Sequence, residues 1–478
     1  MILDPERCYR AAQSRDARFD GWFIVAVRTT GIYCRPSCPA LTPKRENVEF
    51  YPTAAAAQAH GFRACRRCRP DAAPGSPEWD ARGDLVARAM RLLGDGVVDR
   101  EGVSGLAARL GYSERHLNRL LTEQLGAGPV ALARAQRAQT ARTLIETTEL
   151  RLTDIAFAAG FGSVRQFNDT IRAVFAEAPR DMRRHAGRTG AQAAGSVAVR
   201  LAARAPFDAV GVLGFLGQRA VPGVETWDGA SLARTLVLPH GHGTVTLAAD
   251  PPTGVRASFR LADWRDLAPA IARVRRLLDL DADPVAVHGV LEPDPALGRL
   301  ARQRPWLRAA GSVDPEETLM RAILGQWVSV AGARRAAAEL VEQHGDPLGV
   351  AHPTLTRVFP PLARLSNSST TPEPVELPVG GIRGLALRSA ARGVADGHLV
   401  LDPGIDRAAA RTQLLAVPGI GPWTAAYVLM RGLGDPDVFL DTDHGVRRAL
   451  AAADLDPGAA SRWRPWRSYA VHHLWASL

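Results

Sequence analysis

The chain contains a single lysine, Lys44, although 59 of its 478 residues are lysine or arginine, so almost every basic side chain is an arginine. Cysteine is scarce as well, and all five cysteines lie within the first 68 residues. No apolar run approaches the ~18 residues that a membrane-spanning helix needs. Chemistry after residue 68 must therefore proceed without a thiolate or a lysine amine, and no membrane partner is expected.

The overall composition is typical of a folded protein with several domains. Hydrophobic residues make up 46% and charged residues 23% of the chain, which excludes a largely disordered protein. At roughly 150 residues per domain, the length predicts about three domains. The first residues are charged from Asp4 onward and lack an apolar signal-peptide segment. We therefore expect a cytoplasmic, nucleoid-associated protein.

Positive charge is concentrated in the first part of the chain. The formal net charge is +10, and residues 1–190 carry 29 basic and 21 acidic side chains, a net charge of +8. An excess of arginine in one part of a chain favours a polyanionic partner. A basic surface that is simply solvated is the alternative explanation.

Changes in composition divide the chain into segments and predict a multidomain α+β fold. Alternating apolar and polar residues predict strands in 197–207 and 235–249, and the polar segment 366–378 predicts an exposed loop. The predicted segments are a small cysteine-containing domain (1–80), a helical domain (81–186), a linker (187–196), a mixed α/β domain (197–300) and a helical domain (301–478).

Four cysteines form two close pairs with the spacing of a zinc site. Cys34 and Cys38 are separated by three residues, Cys65 and Cys68 by two, and 26 residues lie between the pairs. Disulfides are the weaker interpretation for a cytosolic chain. By itself, the spacing predicts one four-cysteine zinc ion with a purely structural role.

The residues around these cysteines resemble the N-terminal domain of the bacterial adaptive-response protein Ada. The resemblance rests on TTGIYCRPSC (29–38), RENV (45–48) and CRRCRP (65–70). It implies that Cys34 accepts a methyl group from a methyl phosphotriester in DNA, while Cys38, Cys65 and Cys68 complete the zinc site. Methylation would remove one of two negative charges from the cluster, and DNA affinity should rise. Cys8 matches nothing in this pattern.

The helical segment contains two similar units, 102–126 and 151–184, each with a glycine turn and a serine before a second helix. Together they resemble the AraC-type DNA-binding domain; an ordinary packing corner is the alternative. The resemblance implies a promoter operator and RNA polymerase as partners of an activator. The candidate major-groove residues lie on the second helix of each unit and are Glu114, Arg115, Asn118, Arg119, Arg165, Gln166 and Asn168.

A glycine hairpin near the C-terminus points to a DNA glycosylase. The segment from Val417 through Gly419 to Gly421 precedes a helix, so its backbone N–H groups can hold a phosphate. Asp443 follows about 20 residues later, after the strand-like VFL. This pattern resembles helix-hairpin-helix glycosylases. An N-terminal helix cap is the alternative role for Asp443.

The missing residues limit the chemistry that this resemblance implies. Trp423 stands where bifunctional members carry their lysine, and the C-terminal half has neither lysine nor cysteine. A Schiff base and an iron–sulfur cluster are therefore excluded, and no organic cofactor is expected. The resemblance implies a monofunctional glycosylase in which the Asp443 carboxylate stabilises the oxocarbenium-like sugar and orients water.

Four motifs extend the resemblance to 3-methyladenine DNA glycosylase II, AlkA. They are the hairpin region and the segments 213–227, 304–333 and 462–475. The family implies a cleft for a flipped base, with Trp423, Tyr427 and Trp466 as candidates; ordinary core packing is the alternative for each. Gln326 would hold the orphaned base, and Trp327 would wedge into the duplex.

The combined hypothesis is an Ada–AlkA fusion that senses methylation damage, activates transcription and excises alkylated bases. A departure from the family pattern at 441–444 leaves the range of excised bases open. Two alternatives also stay open. One is a transcription regulator with a catalytically silent glycosylase domain, and the other is a repair enzyme whose N-terminal half only tethers it to DNA.

Overall fold

The computed structural model describes residues 3–16, 19–68, 70, 84–186, 195–250, 254–366 and 375–478. The predicted boundary at 71–80, most of the predicted linker and most of the predicted loop at 366–378 lie outside these residues. No helix in the described part of the chain is long and apolar enough to cross a membrane.

The N-terminal domain is a small mixed sheet flanked by helices. Its strands are ordered β3-β1-β2-β4, and only the β2–β4 pair is parallel. All four residues of β1 are buried, which explains its continuous apolar sequence IVAV. The described elements are α1 (Pro5–Gln13), β1 (Ile24–Val27), β2 (Ile32–Cys34), β3 (Val48–Tyr51), α2 (Ala54–Ala59) and β4 (Arg63–Ala64).

The next domain is helical and has the two predicted helix-turn-helix units. Gly111 allows the first turn with φ +78°, and Ser113 and Ser163 cap the second helix of each unit through their side-chain oxygens. The helix α4 is kinked at Gly102. The elements are α3 (Asp84–Gly94), α4 (Val97–Leu110), α5 (Glu114–Leu125), α6 (Pro129–Thr147), α7 (Leu152–Ala158), α8 (Val164–Phe175) and α9 (Pro179–His185).

A five-stranded antiparallel sheet follows, with strand order β5-β9-β8-β7-β6. Both segments predicted to contain strands do so, since their alternating apolar residues face a helix-covered core. The elements are β5 (Val197–Ala202), α10 (Ala209–Gly217), β6 (Glu225–Trp227), β7 (Ser231–Leu238), β8 (Gly241–Ala249), β9 (Gly254–Leu261) and α11 (Leu267–Leu277).

The rest of the described chain consists of helices and their connections, and one turn of π-helix at Val428–Gly432 follows the hairpin helix. The apolar residues 438–440 do not form the predicted strand, because no neighbouring strand is available to pair with them. The elements are α12 (Pro284–Leu291), α13 (Gly298–Gln303), α14 (Pro315–Leu324), α15 (Val330–His344), α16 (Gly381–Ala395), α17 (Arg407–Ala416), α18 (Pro422–Tyr427), α19 (His444–Ala452) and α20 (Arg467–Ala476).

A buried ion cluster joins the five-stranded sheet to the C-terminal helices. Arg234 on β7 donates to Glu225 at 2.9 Å and to Glu317 of α14 at 2.8 Å. Arg321 of α14 contacts both carboxylates at 2.8 and 2.7 Å. Each charge is paired, which offsets much of the cost of removing it from water.

The N-terminal half (residues 3–186) and the C-terminal half (residues 195–478) are packed against each other. One buried apolar cluster runs from the N-terminal sheet through the second helix-turn-helix unit into the five-stranded sheet. Polar contacts reinforce this packing: Asp95 after α3 accepts from Arg273 of α11 at 3.0 Å, and Arg109 of α4 pairs with Asp402. The described parts of the two halves therefore form one connected framework.

Candidate active sites and nucleic-acid interface

The sheet register brings the two cysteine pairs together. Parallel pairing of β2 with β4 aligns Tyr33 with Ala64, so Cys34 and Cys65 leave adjacent strands side by side. The second cysteine of each pair lies in the turn that follows. All four sulfur atoms are within 4.8 Å of one another, close enough to ligate a single metal ion.

The four sulfurs interact strongly with one another. Hydrogen bonds with Cys38 and Cys68, together with burial, hold the pKa of the Cys34 thiol above its ordinary value. Hydrogen bonds with Cys34 and Cys68 hold the pKa of Cys38 well below its ordinary value. Without a metal, the four sulfurs therefore hold fewer than four negative charges. A Zn²⁺ ion makes all of them thiolates, and this donor set fits one zinc ion.

The exposure of the four cysteines is unequal. Cys65 and Cys68 are buried, whereas Cys34 and Cys38 are half-buried. Hydrogen bonds hold the loop that carries this half-buried pair in place. The Asp20 carboxylate accepts from the Ser37 N–H at 2.9 Å and from its hydroxyl at 2.6 Å. Cys34 and Cys38 are thus the less buried pair, and Asp20 fixes the loop between them.

The predicted major-groove residues are on the outer surface of the helical domain. Arg115, Asn118 and Arg119 are exposed on α5, and Arg165 and Gln166 are exposed on the first turn of α8. Glu114 is exposed and Asn168 is half-buried. A long helix, α6, separates the two units along the chain.

The glycine hairpin connects α17 to α18 as expected for a helix-hairpin-helix element. Gly419 has φ +86°, and a side chain there would approach Ala386 Cβ of α16 to 2.7 Å, so only glycine fits. Gly421 is the residue before α18 and is exposed. The N–H groups at this helix start face solvent, where a phosphate can reach them.

Asp443 lies at the start of α19 and receives three hydrogen bonds. Its Oδ1 accepts from the Val446 N–H and from Trp475 Nε1, both at 2.9 Å, and its Oδ2 accepts from Trp423 Nε1 at 2.9 Å. The predicted alternative, a helix cap, is therefore also present. The carboxylate remains half-buried, so its outer face is accessible.

Aromatic rings surround this carboxylate. Trp423 stacks on Tyr427 with ring centroids 5.3 Å apart, and Tyr427 lies 6.3 Å from Trp475. Phe215 of α10 stacks on Trp475 at 6.2 Å. Rings from three separate segments thus line a cleft next to Asp443, and such electron-rich rings are the surface on which a cationic planar base stacks.

Trp466 does not occupy the position that the sequence suggested for it. Its side chain is 2% exposed and packs edge-on against Tyr469 in the C-terminal core. The tryptophan next to Asp443 is Trp475, nine residues later on α20. Both belong to the motif at 462–475, and helical spacing alone could not decide which one faces the cleft. Phe215 lies on α10, and its place in the cleft depends on how that helix packs against α20, which the sequence does not show.

Two arginines that the sequence did not single out border the cleft. The Arg219 guanidinium lies 3.8 Å from the centroid of Phe215, and that of Arg431 lies 5.1 Å from it. Burial and the charge of Arg431 lower the pKa of Arg219 to about 10. The neighbouring His472 is buried, and its lowered pKa keeps it neutral. The cleft therefore has aromatic walls and a cationic rim.

The two residues predicted to handle the duplex gap differ in environment. Trp327 is 95% exposed with φ +62°, a strained conformation for a tryptophan. Gln326 is buried, and its amide donates to the Gly419 carbonyl at 3.2 Å and to the Thr424 hydroxyl at 2.9 Å. Gln326 thereby ties the loop that carries Trp327 to the hairpin.

Fold and sites together define a helix-hairpin-helix DNA glycosylase fused to a zinc-bearing, helix-turn-helix half. Family models match three parts of the chain: the metal binding domain of Ada (residues 7–71), a helix-turn-helix domain (106–185) and the AlkA N-terminal domain (198–314). These matches fit the zinc site, the two recognition helices and the five-stranded sheet.

Curated relatives agree. A Mycobacterium tuberculosis protein named "Probable bifunctional transcriptional activator/DNA repair enzyme AlkA" is 53% identical over all of this chain and 97% of its own length. Escherichia coli DNA-3-methyladenine glycosylase 2 is 36% identical over 56% of this chain and 94% of its own. Escherichia coli Ada, a bifunctional transcriptional activator/DNA repair enzyme, is 39% identical over 34% of this chain and 43% of its own. The chain belongs to the AlkA family of bifunctional transcriptional activators and DNA repair enzymes.

Proposed function

We propose that this protein removes alkylated bases from DNA with Asp443 and uses methylation of Cys34 to activate transcription. The observation that carries the glycosylase is the Asp443 carboxylate held by two indole N–H groups inside an aromatic cleft. The observation that carries the switch is the four-sulfur zinc site, in which Cys34 and Cys38 are only half-buried.

Excision breaks the bond between the sugar C1′ and the base nitrogen. The bonding electrons leave with the base, which is an easy leaving group when alkylation has made it cationic. The ionised Asp443 stabilises the positive charge that develops on the sugar, and it orients the water that attacks C1′. Trp423, Tyr427 and Trp475 stack on the flipped base.

The hairpin and the loop at Gln326 and Trp327 supply the remaining proposed DNA contacts of the glycosylase. The N–H groups at Gly419 and Gly421 hold a phosphate of the damaged strand. Val417, which the sequence also suggested, is buried, and its N–H donates to the Leu414 carbonyl at 3.1 Å. Trp327 enters the gap that the flipped base leaves, and Gln326 fixes the loop beneath it through its bonds to Gly419 and Thr424. Both roles suit a site that binds duplex DNA.

The switch is a methyl transfer from phosphorus-bound oxygen to sulfur. The Cys34 thiolate attacks the methyl carbon of a DNA methyl phosphotriester, the C–O bond breaks, and the phosphodiester leaves as an anion. A thioether forms, so the zinc cluster loses one negative charge. Because weaker repulsion of DNA phosphates raises affinity, the methylated protein binds its operator more tightly.

Operator binding uses both helix-turn-helix units. Arg115, Asn118 and Arg119 on α5, with Arg165 and Gln166 on α8, read base edges in successive major grooves. RNA polymerase is the proposed partner of the bound activator. We place the protein in the cytoplasm, associated with the nucleoid, because each of these substrates is chromosomal DNA.

Base release tests the glycosylase directly. Purified protein is incubated with duplex DNA treated with a methylating agent, and released 3-methyladenine and 7-methylguanine are quantified for wild type and Asp443→Asn. We expect release by wild type only. Equal release by both proteins would remove Asp443 from the mechanism, and no release by folded wild type would favour the regulator with a silent glycosylase domain.

A second assay tests the switch. Operator affinity is measured before and after reaction with methyl phosphotriester DNA, for wild type and Cys34→Ser. We expect methylation to raise affinity at least about tenfold in wild type only, as a change of cluster charge predicts. Unchanged affinity in wild type would instead favour a repair enzyme whose N-terminal half only tethers it to DNA.

A further inference from the structure

Two guanidinium groups lie beside the aromatic rings of the base cleft without a carboxylate partner. Arg219, just after α10, donates from its Nη1 to the Phe215 carbonyl at 3.0 Å. Arg431 donates to the Gly311 carbonyl at 3.1 Å and to the Tyr427 hydroxyl at 3.3 Å. All of these acceptors are neutral oxygens, and neither arginine has a salt bridge in the described part of the chain. Both groups therefore keep a positive charge that no ion pair offsets.

The backbone places Arg431 in a buried position. This residue lies in the π-helical turn Val428–Gly432, and single turns of this kind are frequent at functional sites. Its side chain is 8% exposed, and its Nε is a buried donor without an acceptor among the described residues. A buried charge without a counter-ion destabilises the folded state. The position of Arg431 thus opposes stability, which indicates a role in function.

The rings of the cleft form two stacked pairs that begin at the carboxylate. Asp443 accepts from the indole N–H groups of Trp423 and Trp475, both at 2.9 Å. Trp423 stacks on Tyr427 with ring centroids 5.3 Å apart, and Trp475 stacks on Phe215 at 6.2 Å. Each pair therefore has one ring that is bonded to the carboxylate and a second ring that lies behind the first.

The guanidinium groups contact the second ring of each pair. Arg431 lies 5.1 Å from the centroid of Phe215 and 5.9 Å from that of Tyr427. Arg219 lies 3.8 Å from the centroid of Phe215. The sequence of contacts thus runs from one negative group, through two pairs of stacked rings, to two positive groups.

Excision of an alkylated purine moves positive charge in one direction. The flipped base is cationic before the bond between C1′ and the base nitrogen breaks. The bonding electron pair stays on the base nitrogen, so the base leaves as a neutral molecule and the sugar becomes positive until water adds to C1′ and releases a proton. A cation beside the base therefore raises the energy of the bound substrate more than that of the transition state.

We propose that Arg219 and Arg431 accelerate base release by repelling the positive charge of the bound alkylated base toward the sugar, where Asp443 stabilises it. This role rests on the proposed glycosylase function and adds to it two residues that act through their charge. Arg219 also lies over the ring of Phe215, which weakens the attraction of that ring for a cationic base. Burial and the charge of Arg431 lower the pKa of Arg219 only to about 10, so Arg219 stays charged at neutral pH.

Single-turnover kinetics on double-stranded DNA with one 7-methylguanine test the proposal, because they separate the maximal rate from the half-saturating enzyme concentration. Arg219→Gln and Arg431→Gln each remove one charge and keep an amide donor. Arg260→Gln is the control, since it removes a half-buried guanidinium from β9 of the sheet domain. We expect the two cleft variants to release the base at least about tenfold more slowly, and Arg260→Gln to match wild type.

The half-saturating concentration distinguishes this role from a contact with DNA phosphate. Because a cationic base is repelled less in Arg219→Gln and Arg431→Gln, both should reach half-saturation at the same or a lower enzyme concentration than wild type. A higher half-saturating concentration with an unchanged maximal rate would identify a phosphate contact instead and would overturn the proposal.

A lysine variant distinguishes charge from structure. Arg219→Lys keeps the charge but cannot reproduce the planar contact of a guanidinium with Phe215. At pH 6.5, well below the ordinary lysine pKa of about 10.4, we expect its maximal rate to be within about threefold of wild type. A rate as low as that of Arg219→Gln would assign Arg219 a structural role and contradict the proposal.

Circular dichroism establishes whether each variant is folded. Arg219 is only half-buried, so Arg219→Gln decides the matter even if the buried Arg431→Gln does not fold. A wild-type rate in folded Arg219→Gln would refute the electrostatic role and leave the glycosylase function in place. No base release by wild type itself would refute both together.

Discussion

Trp475 Nε1 lies 2.9 Å from Asp443 Oδ1, although the two residues are 32 positions apart in the chain. The other oxygen of the same carboxylate accepts from Trp423 Nε1 at 2.9 Å. Two rigid indole rings therefore fix the plane of the carboxylate and also form walls of the cleft. The catalytic group and the base pocket are built from the same side chains.

Removing one of these donors should slow base release. Trp475→Phe keeps an aromatic ring but loses the N–H group, and a hydrogen bond to a charged acceptor is worth about 1.5–3 kcal/mol. We expect single-turnover release of methylated bases to be about 10–100-fold slower. Trp264→Phe, in a half-buried position of the sheet domain, should change the rate less than about twofold. A wild-type rate for Trp475→Phe would show that Trp423 and Val446 are sufficient to orient Asp443.

Replacing Trp327 with glycine should stabilise the protein and slow base release. Its φ of +62° costs about 1–2 kcal/mol, and glycine adopts this conformation without that cost. Trp327→Gly should raise the free energy of unfolding by about 1 kcal/mol in urea titrations, yet lower base release from duplex DNA at least about tenfold. Release from single-stranded DNA should change little, because no gap must be filled. Equal losses on both substrates would contradict the wedge role.

Zinc content should depend on four of the five cysteines. Cys65→Ala removes a buried ligand, and we expect it to bind no zinc by elemental analysis and to lose the fold of the N-terminal domain. Cys8→Ala is the matched control, because Cys8 is also buried but lies outside the sulfur cluster. It should retain one zinc per chain. Zinc loss in Cys8→Ala would indicate that the fold, rather than the ligand set, limits binding.

Asp279 should make stability depend on pH. Its folded pKa is raised to about 7 by burial, above the unfolded value near 4. The folded state therefore keeps a proton that the unfolded state releases, and stability falls as pH rises from about 4 to about 7. Asp279→Asn has no carboxyl proton to lose, so it lacks this pH dependence. The free energy of unfolding of the variant minus that of wild type should be larger at pH 8 than at pH 5, by on the order of 1–3 kcal/mol in urea titrations. A pH-independent difference would contradict the assignment.

Local sequence predicted much of the site. The cysteine spacing predicted the metal cluster, the serine caps predicted the starts of α5 and α8, and the hairpin glycines predicted the turn into α18. Each of these features is set by residues close together in the chain, where capping, chain reversal and ligand spacing act locally. The role of Asp443 as a helix cap belongs to this group as well.

Other features depended on contacts between distant segments. The choice of Trp475 over Trp466, the position of Phe215 in the cleft and the cation rim of Arg219 and Arg431 follow from how α10, α18 and α20 pack. The residues 438–440 are apolar enough for a strand but have no partner strand, so they remain a connection. Periodicity describes one element at a time and cannot decide such matters.

The sequence by itself determined the chemistry available to this protein. With no lysine beyond residue 44 and no cysteine beyond residue 68, the C-terminal half has neither an amine nucleophile nor a thiolate. Only the tertiary structure decided which carboxylate oxygens are held and which two tryptophans hold them. Composition sets which groups exist, whereas distance and burial, which arise only on packing, decide how strongly those groups act on one another.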